Sequence, residues 1–454
     1  MSKVIHLKKG LDINLQGVSE KVLIAAPLAQ EYALTPDDYI GVVPKLLVKV
    51  DDTVKAGTPL FFDKKHPEIL FTSPVSGTVT AINRGEKRKI LNIIIRPSEE
   101  REYEEFNVPK TEELTAESLK ELMLKSGLWP FVIQRPYGII ADPADTPRDI
   151  FVSGFDSAPL AADFDFILQT SGEDFAAGIE AVKKLTPGNV HLGLSDESHS
   201  KIFAKLEDKV QIDTFSGPHP AGNVGVQIHH VAPVNKGETV WTMDVHSLIF
   251  LGRLLKTGKL DMSKVVALAG ACVEKPRYYR IISGARVDSI TAGALKPVKE
   301  GRSMRVISGN VLTGKKIAEN GFVSFYANTV TVIPEGDYYE MLGWIAPRLN
   351  KFSMSHSYFS WLTPKKSYNL DTNLNGGQRA LVVSGQYEKV LPMDIYPVYL
   401  IKAILAGDID KMENLGIYEV IEEDLALCEF VCTSKTDVQQ IVRQGIDLLI
   451  KELN

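Results

Sequence analysis

The chain has 454 residues, a formal net charge of −6, 44% apolar residues and 24% charged residues. That length exceeds a single hydrophobic core and predicts about two to four domains, while the charge balance and the lack of a Lys/Arg block exclude a nucleic-acid binder. Three cysteines, Cys272, Cys428 and Cys432, make no disulfide framework and fit a reducing compartment, and neither a signal-peptide core nor a run near the roughly 18 apolar residues of a membrane span is present, so a soluble chain able to dock on a membrane complex is expected.

Residues 1–100 read as short strands and turns. Gly10, Gly57, Gly77 and Gly85 punctuate β-rich runs at 21–26, 46–50, 77–82 and 90–96. The stretch 44–60, followed by Thr72-Ser73-Pro74-Val75-Ser76-Gly77, resembles the barrel-sandwich fold of lipoyl and biotinyl domains. Asp63-Lys64-Lys65 falls roughly where such carriers present a modified lysine, but His66-Pro67-Glu68 alters the tight turn, so Lys64 and Lys65 are expected as solvated loop residues.

A charged run at 98–105 reads as a linker. Residues 115–125 predict a helix, with Thr115 as N-cap, Leu119, Leu122 and Met123 on one face and Gly127 at its stop. Strand-like runs at 149–153, 166–169 and 189–194, with a helical pattern at 173–185, predict an α/β layer with a parallel sheet. Residues 240–255 run into an apolar helix. Short strands at 265–273, 278–282, 304–308 and 322–331 predict a compact β module. Beyond Pro334 the chain reads as helical and aromatic. A short helix is expected at 397–405, and Thr436 with Gln439 forms a capping-box signature for a last helix reaching Leu453.

The run from Glu422 to Ser434 carries the most information. A four-iron cluster takes four thiolates spaced C-x2-C-x2-C-x3-C, usually followed by Pro. With Cys432 as the fourth ligand, Cys428 falls on the third, while Leu425 and Glu422 occupy the second and first and Thr433 replaces Pro. Leu425 cannot ligate iron, so the run reads as a degenerate cluster loop whose cysteines serve as small buried hydrophobes. His219, His229, His230 and His246 are loosely grouped. As neighbours on a strand, His229 and His230 would face opposite sides, and a metal site is not expected. There is no G-x-S-x-G, and Cys272 has no visible base partner. The aromatic residues Tyr338, Tyr339, Trp344, Tyr358, Phe359 and Trp361 are candidates for packing, for docking on a partner, or for quinone contact.

The order of these segments is specific, and several motifs carry it: Lys8-Lys9-Gly10-Leu11-Asp12-Ile13, the run from Phe215 to Gly225 containing Pro218-His219-Pro220, Leu342-Gly343-Trp344-Ile345-Ala346-Pro347, Leu391-Pro392-Met393-Asp394-Ile395, and the cluster loop. Together they resemble the A-subunit family of the Na+-translocating NADH:quinone oxidoreductase, Na+-NQR, across essentially the whole chain. More distantly they resemble the C subunit of the Rnf complex and the NADH-binding flavoprotein subunit of complex I. The resemblance implies a multidomain α/β fold: a barrel-sandwich hybrid domain at 1–100, a Rossmann-like α/β domain at 101–258, an SLBB-like (β-grasp) module at 259–333 and a C-terminal helical domain at 334–454. The flavoprotein relatives bind FMN with a G-x-G-G-A-G-F-P loop. Its equivalent at 126–136 keeps only Gly127, and Trp129 and Pro130 would obstruct the flavin. No G-x-G-x-x-G opens a helix after a strand. The resemblance therefore implies a peripheral subunit on the cytoplasmic face of the bacterial inner membrane, with no catalytic residue and no cofactor of its own. FMN, FAD, riboflavin and iron–sulfur centres would lie in the partner subunits of Na+-NQR. The neighbours would be its membrane-embedded B subunit, together with the cytoplasmic part of its C subunit. A direct quinone-binding role and a Rnf-type carrier with its own cofactors are the alternatives.

Overall fold

A computed structural model describes residues 4–297, 302–343 and 348–453. Its central layer is a seven-stranded sheet in the order Val4–His6, Gln211–Ser216, Val190–Ser195, Ile150–Ser153, Val240–Thr242, Ile133–Arg135 and Ile139–Ile140. The first five strands run parallel and the last two are antiparallel additions. The middle strands are buried apolar runs, as a sheet covered on both faces requires. Two long helices, Phe164–Val182 and Val245–Thr257, cross on it in close contact. Glycine makes that crossing possible: a Cβ on Gly178 would lie 2.1 Å from the Leu248 carbonyl oxygen, and one on Gly252 would lie 1.8 Å from that of Asp174.

Two local expectations change here. Residues 166–169, expected as a strand, lie inside the first long helix. Asp163 starts it by accepting the Phe166 N–H at 3.0 Å, and Phe164, Ile167, Leu168 and Ser171 recur at helical spacing on the buried face. His229 and His230 sit on the helix Val224–Val231, not on a strand.

The barrel-sandwich module pairs a four-stranded sheet (Tyr32–Leu34, Ile90–Pro97, Gly77–Arg84, Thr53–Val54) with a three-stranded one (Pro44–Leu46, Pro59–Asp63, Leu70–Thr72). Phe61 and Phe71 stack at 4.4 Å in its core. Lys64 and Lys65 are exposed on the hairpin that follows, where the buried Asp63 carboxylate accepts the N–H groups of Val43 and Lys65. The first two strands of the chain leave this module. Val4–His6 is the edge of the seven-stranded sheet, and Glu20–Ala25 pairs in parallel with Arg277–Ile282. A boundary drawn at residue 100 therefore does not separate sheets.

The β module is a six-stranded sheet in the order Lys315–Ile317, Met304–Ser308, Thr329–Pro334, Ser263–Ala269, Arg277–Ile282 and Glu20–Ala25. The strand expected from 322 begins only at Thr329. The preceding loop turns the carbonyls of Ser324, Phe325 and Ala327 onto the buried Lys264 ammonium at 3.1, 2.7 and 2.8 Å. After Pro334 the expected helices are late. Among the described residues, 335–386 hold only the one-turn helix Phe359–Leu362, because Pro, Gly, Asn, Asp and Ser are frequent from 363 to 385. Helices then follow at Tyr387–Val390, Pro397–Ala406, Ile409–Asn414, Ala426–Val431 and Val438–Leu453. The last is not entered through a Thr436/Gln439 box: the Gln439 N–H donates to the Glu429 carboxylate at 2.9 Å.

One apolar core runs through barrel, α/β layer and β module, and a second joins the C-terminal helices to Leu7, Ile13 and Leu15 near the start of the chain. Among the described residues no helix is long and apolar enough to cross a membrane.

Candidate functional site

The parallel sheet reverses direction at Ile150–Ser153. The chain proceeds outward to Val190–Ser195 and Gln211–Ser216, then returns to Val240–Thr242 on the other side. In such sheets the crevice beyond the carboxyl ends of the two strands flanking the reversal is the natural ligand position. A cavity of about 350 Å³ lies there. Ser153, Phe155 and Asp156 line it from one strand end, and Thr242, Met243 and Asp244 from the other. Phe131, Arg135, Phe164, His219, Asn223, Tyr326, Asn328 and Glu423 complete much of the wall.

Arg135 is the charged centre of this wall. Its side chain is buried, and it donates to Asp424 Oδ2 at 3.1 Å and to Glu423 Oε1 at 2.6 Å. Burial opposes the guanidinium charge, but Asp424 and Glu423 outweigh it. Glu423, whose side chain is 38% exposed at its outer side, is raised above the ordinary carboxylate value, because loss of water around its inner part outweighs the pull of Arg135, and Asp424 and Glu422 add to the rise. Asp424 accepts the Ile421 N–H at 2.9 Å through Oδ2, while its Oδ1 and the Arg135 Nε have no hydrogen-bond partner among the described residues. The carboxylate lies against the first turn of Val224–Val231, where the helix dipole favours negative charge. Gly225 leaves it room, since a Cβ there would meet Asp424 Oδ1 at 2.4 Å. Nearby, Asn223 Nδ2 donates to the Glu423 carbonyl at 3.1 Å. Glu422 turns away and takes Arg443 Nη2 at 2.7 Å, and the same guanidinium holds the Tyr137 carbonyl at 2.8 Å.

Of the four histidines, only His219 lines the cavity. Ser157 Oγ accepts the Gly222 N–H at 2.8 Å and shares a hydrogen bond with His219 Nδ1 at 3.0 Å. Burial holds that imidazole down to about 4. His229 pairs with Glu419 at 2.6 Å, His230 bonds the Val226 carbonyl at 2.9 Å, and His246 bonds Asn328 Oδ1 at 2.9 Å. They do not converge, and among the described residues no group of three or more His, Cys, Asp or Glu side chains could hold a metal. Deeper in, burial lowers Lys264 to about 8 against the opposing charge of Asp244, and burial raises both Asp244 and Asp156.

The two segments expected as altered flavin and cluster loops are packed with the protein's own side chains. In the stretch equivalent to the flavin loop, Trp129 is fully buried, donates its indole N–H to the Ala141 carbonyl at 2.8 Å, and meets Trp241 edge to face at 5.4 Å. The backbone N–H of Leu128 is bonded to the Met123 carbonyl of the preceding helix, and those of Phe131 and Val132 to the Leu128 and Trp129 carbonyls. In the cluster loop, Leu425 is fully buried in the C-terminal core and Glu422 is committed to Arg443. Cys428 and Cys432 both lie on Tyr387: its hydroxyl donates to Cys432 Sγ at 3.0 Å, and the Cys428 thiol faces its carbonyl at 3.9 Å. Cys432 caps the helix Ala426–Val431 rather than sitting within it. Burial raises the Cys428 thiol. For Cys432, burial is outweighed by the Tyr387 hydroxyl and the N–H groups of Thr436 and Ser434, which lower it. Two thiols, a leucine and a paired glutamate form an incomplete donor set for a four-iron cluster.

The aromatic candidates separate. Trp344 lies outside the described residues. Tyr358 is buried and donates to the Gly343 carbonyl at 2.5 Å, whereas Phe359 and Trp361 are exposed, the latter 52%. Sequence reasoning missed Arg135, Asp156, Asp244, Lys264 and Asn328. Only Asp244, standing directly before an apolar helical run, carried a legible signal, as the N-cap that accepts the Ser247 N–H at 2.6 Å.

Comparison with known proteins matches three family models in succession: "NqrA N-terminal barrel-sandwich hybrid domain" at residues 5–98, "NqrA second alpha/beta domain" at 114–260 and "NQRA C-terminal domain" at 265–319. Among curated proteins the chain is similar to the A subunit of the Na(+)-translocating NADH-quinone reductase of Pasteurella multocida, 40% identical over 452 residues. It is also similar to that of Serratia proteamaculans, 39% identical over 454, and to that of Neisseria meningitidis, 37% identical over 452. Each alignment covers 99% of this chain and 100% of the relative.

Proposed function

Since the chain belongs to the A-subunit family of Na+-translocating NADH-quinone reductases, we propose that it is the peripheral, cofactor-free brace of that complex, held on the cytoplasmic face against the membrane-embedded B subunit. One observation carries this reading. The remnant of the flavin loop and the remnant of the cluster loop are bonded to each other, Arg135 to Glu423 and Asp424 across 288 and 289 residues of sequence. Residues lying beside the positions that a redox ancestor would aim at cofactors are used here to lock the C-terminal helices onto the α/β layer. Electrons then pass through FMN, FAD, riboflavin and iron–sulfur centres in the partner subunits, including the cytoplasmic part of the C subunit. This chain supplies shape and stability to the route. The absorption spectrum of the purified chain, with iron and acid-labile sulfide analysis, tests the reading. A spectrum featureless above the aromatic band is expected, and a stoichiometric flavin or cluster would overturn it.

The cavity favours a second reading, contact with the acceptor quinone. Phe131, Phe155, Phe164 and Tyr326 offer ring-stacking walls, and Arg135 and Asn328 offer polar anchors, the composition that small-molecule slots have. Titration with a short-chain quinone, followed by calorimetry, separates the two. Saturable one-to-one binding that Asn328→Ala weakens without loss of stability supports quinone contact, and no saturable binding leaves the brace alone.

A further inference from the structure

The exposed surface around Phe359–Leu362 combines apolar and basic side chains. In a chain of net charge −6, residues 348–370 contain Arg348, Lys351, Lys365 and Lys366 and no Asp or Glu. The one-turn helix in the middle of this stretch sorts its residues by side. Tyr358 and Ser360 are each 5% exposed and fixed inward, Ser360 Oγ taking the Ser353 N–H at 3.2 Å and donating to the Ser353 carbonyl at 3.1 Å. Phe359, Trp361 and Leu362 are turned outward, the last 56% exposed. Leu349, 65% exposed, joins them, because Lys366 Nζ donates to its carbonyl at 2.6 Å. Arg348 and Lys351 share one carboxylate, Glu340, whereas Lys365 makes no ion pair among the described residues. The result is a small apolar prow on a fixed base with basic side chains beside it.

We propose that this face docks on the anionic surface of a lipid bilayer, with Trp361, Phe359, Leu362 and Leu349 entering the headgroup boundary and Lys365 and Lys366 meeting lipid phosphates. Trp settles at that boundary because its ring is part apolar and part polar, Phe and Leu bury apolar area there, and each Lys or Arg near an anionic leaflet is worth about 1 kcal/mol, a factor of about 5 in partitioning. A protein interface core is the poorer match, since such cores are depleted of lysine, and here Lys365 and Lys366 flank the prow with no acidic residue between 348 and 370 to offset them. The inference stands on this face alone and does not depend on whether the chain is cofactor-free.

The test is co-sedimentation of the full-length protein with phosphatidylcholine vesicles, with and without phosphatidylglycerol, at low and at raised salt. Binding is expected only with phosphatidylglycerol, weakened by salt. Reversal of Lys365 alone, Lys365→Glu, should cut it by more than tenfold, and Trp361→Ala by several-fold, with circular dichroism unchanged. Reversal of the exposed barrel pair, Lys64→Glu and Lys65→Glu, controls for bulk charge and should have little effect. Absence of binding to phosphatidylglycerol vesicles overturns the proposal, as does equal loss in the barrel control. Protection of Trp361 from quenchers only in the detergent-solubilised complex, without vesicle binding, assigns the face to a protein partner instead.

Discussion

Replacing Arg135 by methionine tests the junction at which the C-terminal helices meet the α/β layer. The arginine side chain is 5% exposed and that of Asp424 is 0% exposed. Without the guanidinium, Asp424 keeps the Ile421 N–H at 2.9 Å, and the remaining negative charge stays in the protein interior. Removing one partner of a buried pair costs about 3–5 kcal/mol, because the other charge cannot return to water. Glu423 contributes far less, since its side chain is 38% exposed and the exposed part of the pair is screened, leaving about 0–1 kcal/mol. Arg135→Met is therefore expected to remove several kcal/mol of a total near 5–15, whereas Glu423→Gln removes less than about 1. The double variant Arg135→Met with Asp424→Leu replaces the whole pair by apolar groups and should recover most of the loss. Urea unfolding followed by tryptophan emission measures this, because Trp129 and Trp241 are buried in the same layer. A loss under about 1 kcal/mol in the single variant, or a double variant no better than the single, would refute the claim that this pair fastens the two parts.

Gly225→Ala should destabilise by about 1–3 kcal/mol through overpacking against Asp424, and the cost should shrink in an Asp424→Ala background if that contact is the cause. Thermal melts of the two pairs decide it. Burial holds His219 to about 4 and His246 to about 3, both below the ordinary value of 6.5, so the unfolded chain binds more protons in that window. Their contribution is fully present above about 6.5 and is lost as pH falls toward 4 and 3. His219→Gln should flatten the stability slope between pH 6.5 and 4, and an unchanged slope would remove His219 from the account. Glu335 is held down to about 2, first by its bond from Arg305 and further by Lys316 and Thr372, the last anchoring the irregular strap after the β module. Glu335→Ala should speed limited proteolysis between 363 and 385, read by mass spectrometry, and an unchanged cleavage rate argues that the strap is held elsewhere.

Much of the fold was written in local pattern. The Thr115 cap and the Gly127 stop appear where expected, with the Thr115 side chain accepting the Ser118 N–H and Gly127 left-handed at φ 77°. The turns and alternating apolar residues of 44–97 build the barrel sheets. The long helix at 245–257 was legible from its apolar run, although the aspartate that caps it, Asp244, was not recognised. The run at 166–169 misled because four apolar and polar residues fit either period, and the cap that decides it lies at Asp163, outside the window. The 335–386 strap misled because its aromatic residues resemble a core helix when their breakers are read apart from them.

The sequence by itself determined the order of modules, which follows from residue types and turns at short spacing, and it determined that 422–432 holds no four-thiolate set, since a leucine cannot bind iron in any fold. It could not determine that the strands Val4–His6 and Glu20–Ala25 would complete sheets made mainly of residues beyond 130, because parallel edge pairing is specified by backbone hydrogen bonds that every non-proline residue offers. Nor could it show that Arg135 meets Glu423 and Asp424. No periodicity links positions 288 residues apart, and an Arg or a Glu reads as a surface residue until packing takes both out of water. The tertiary structure alone brought those charges together, and with them the segments 126–136 and 422–434.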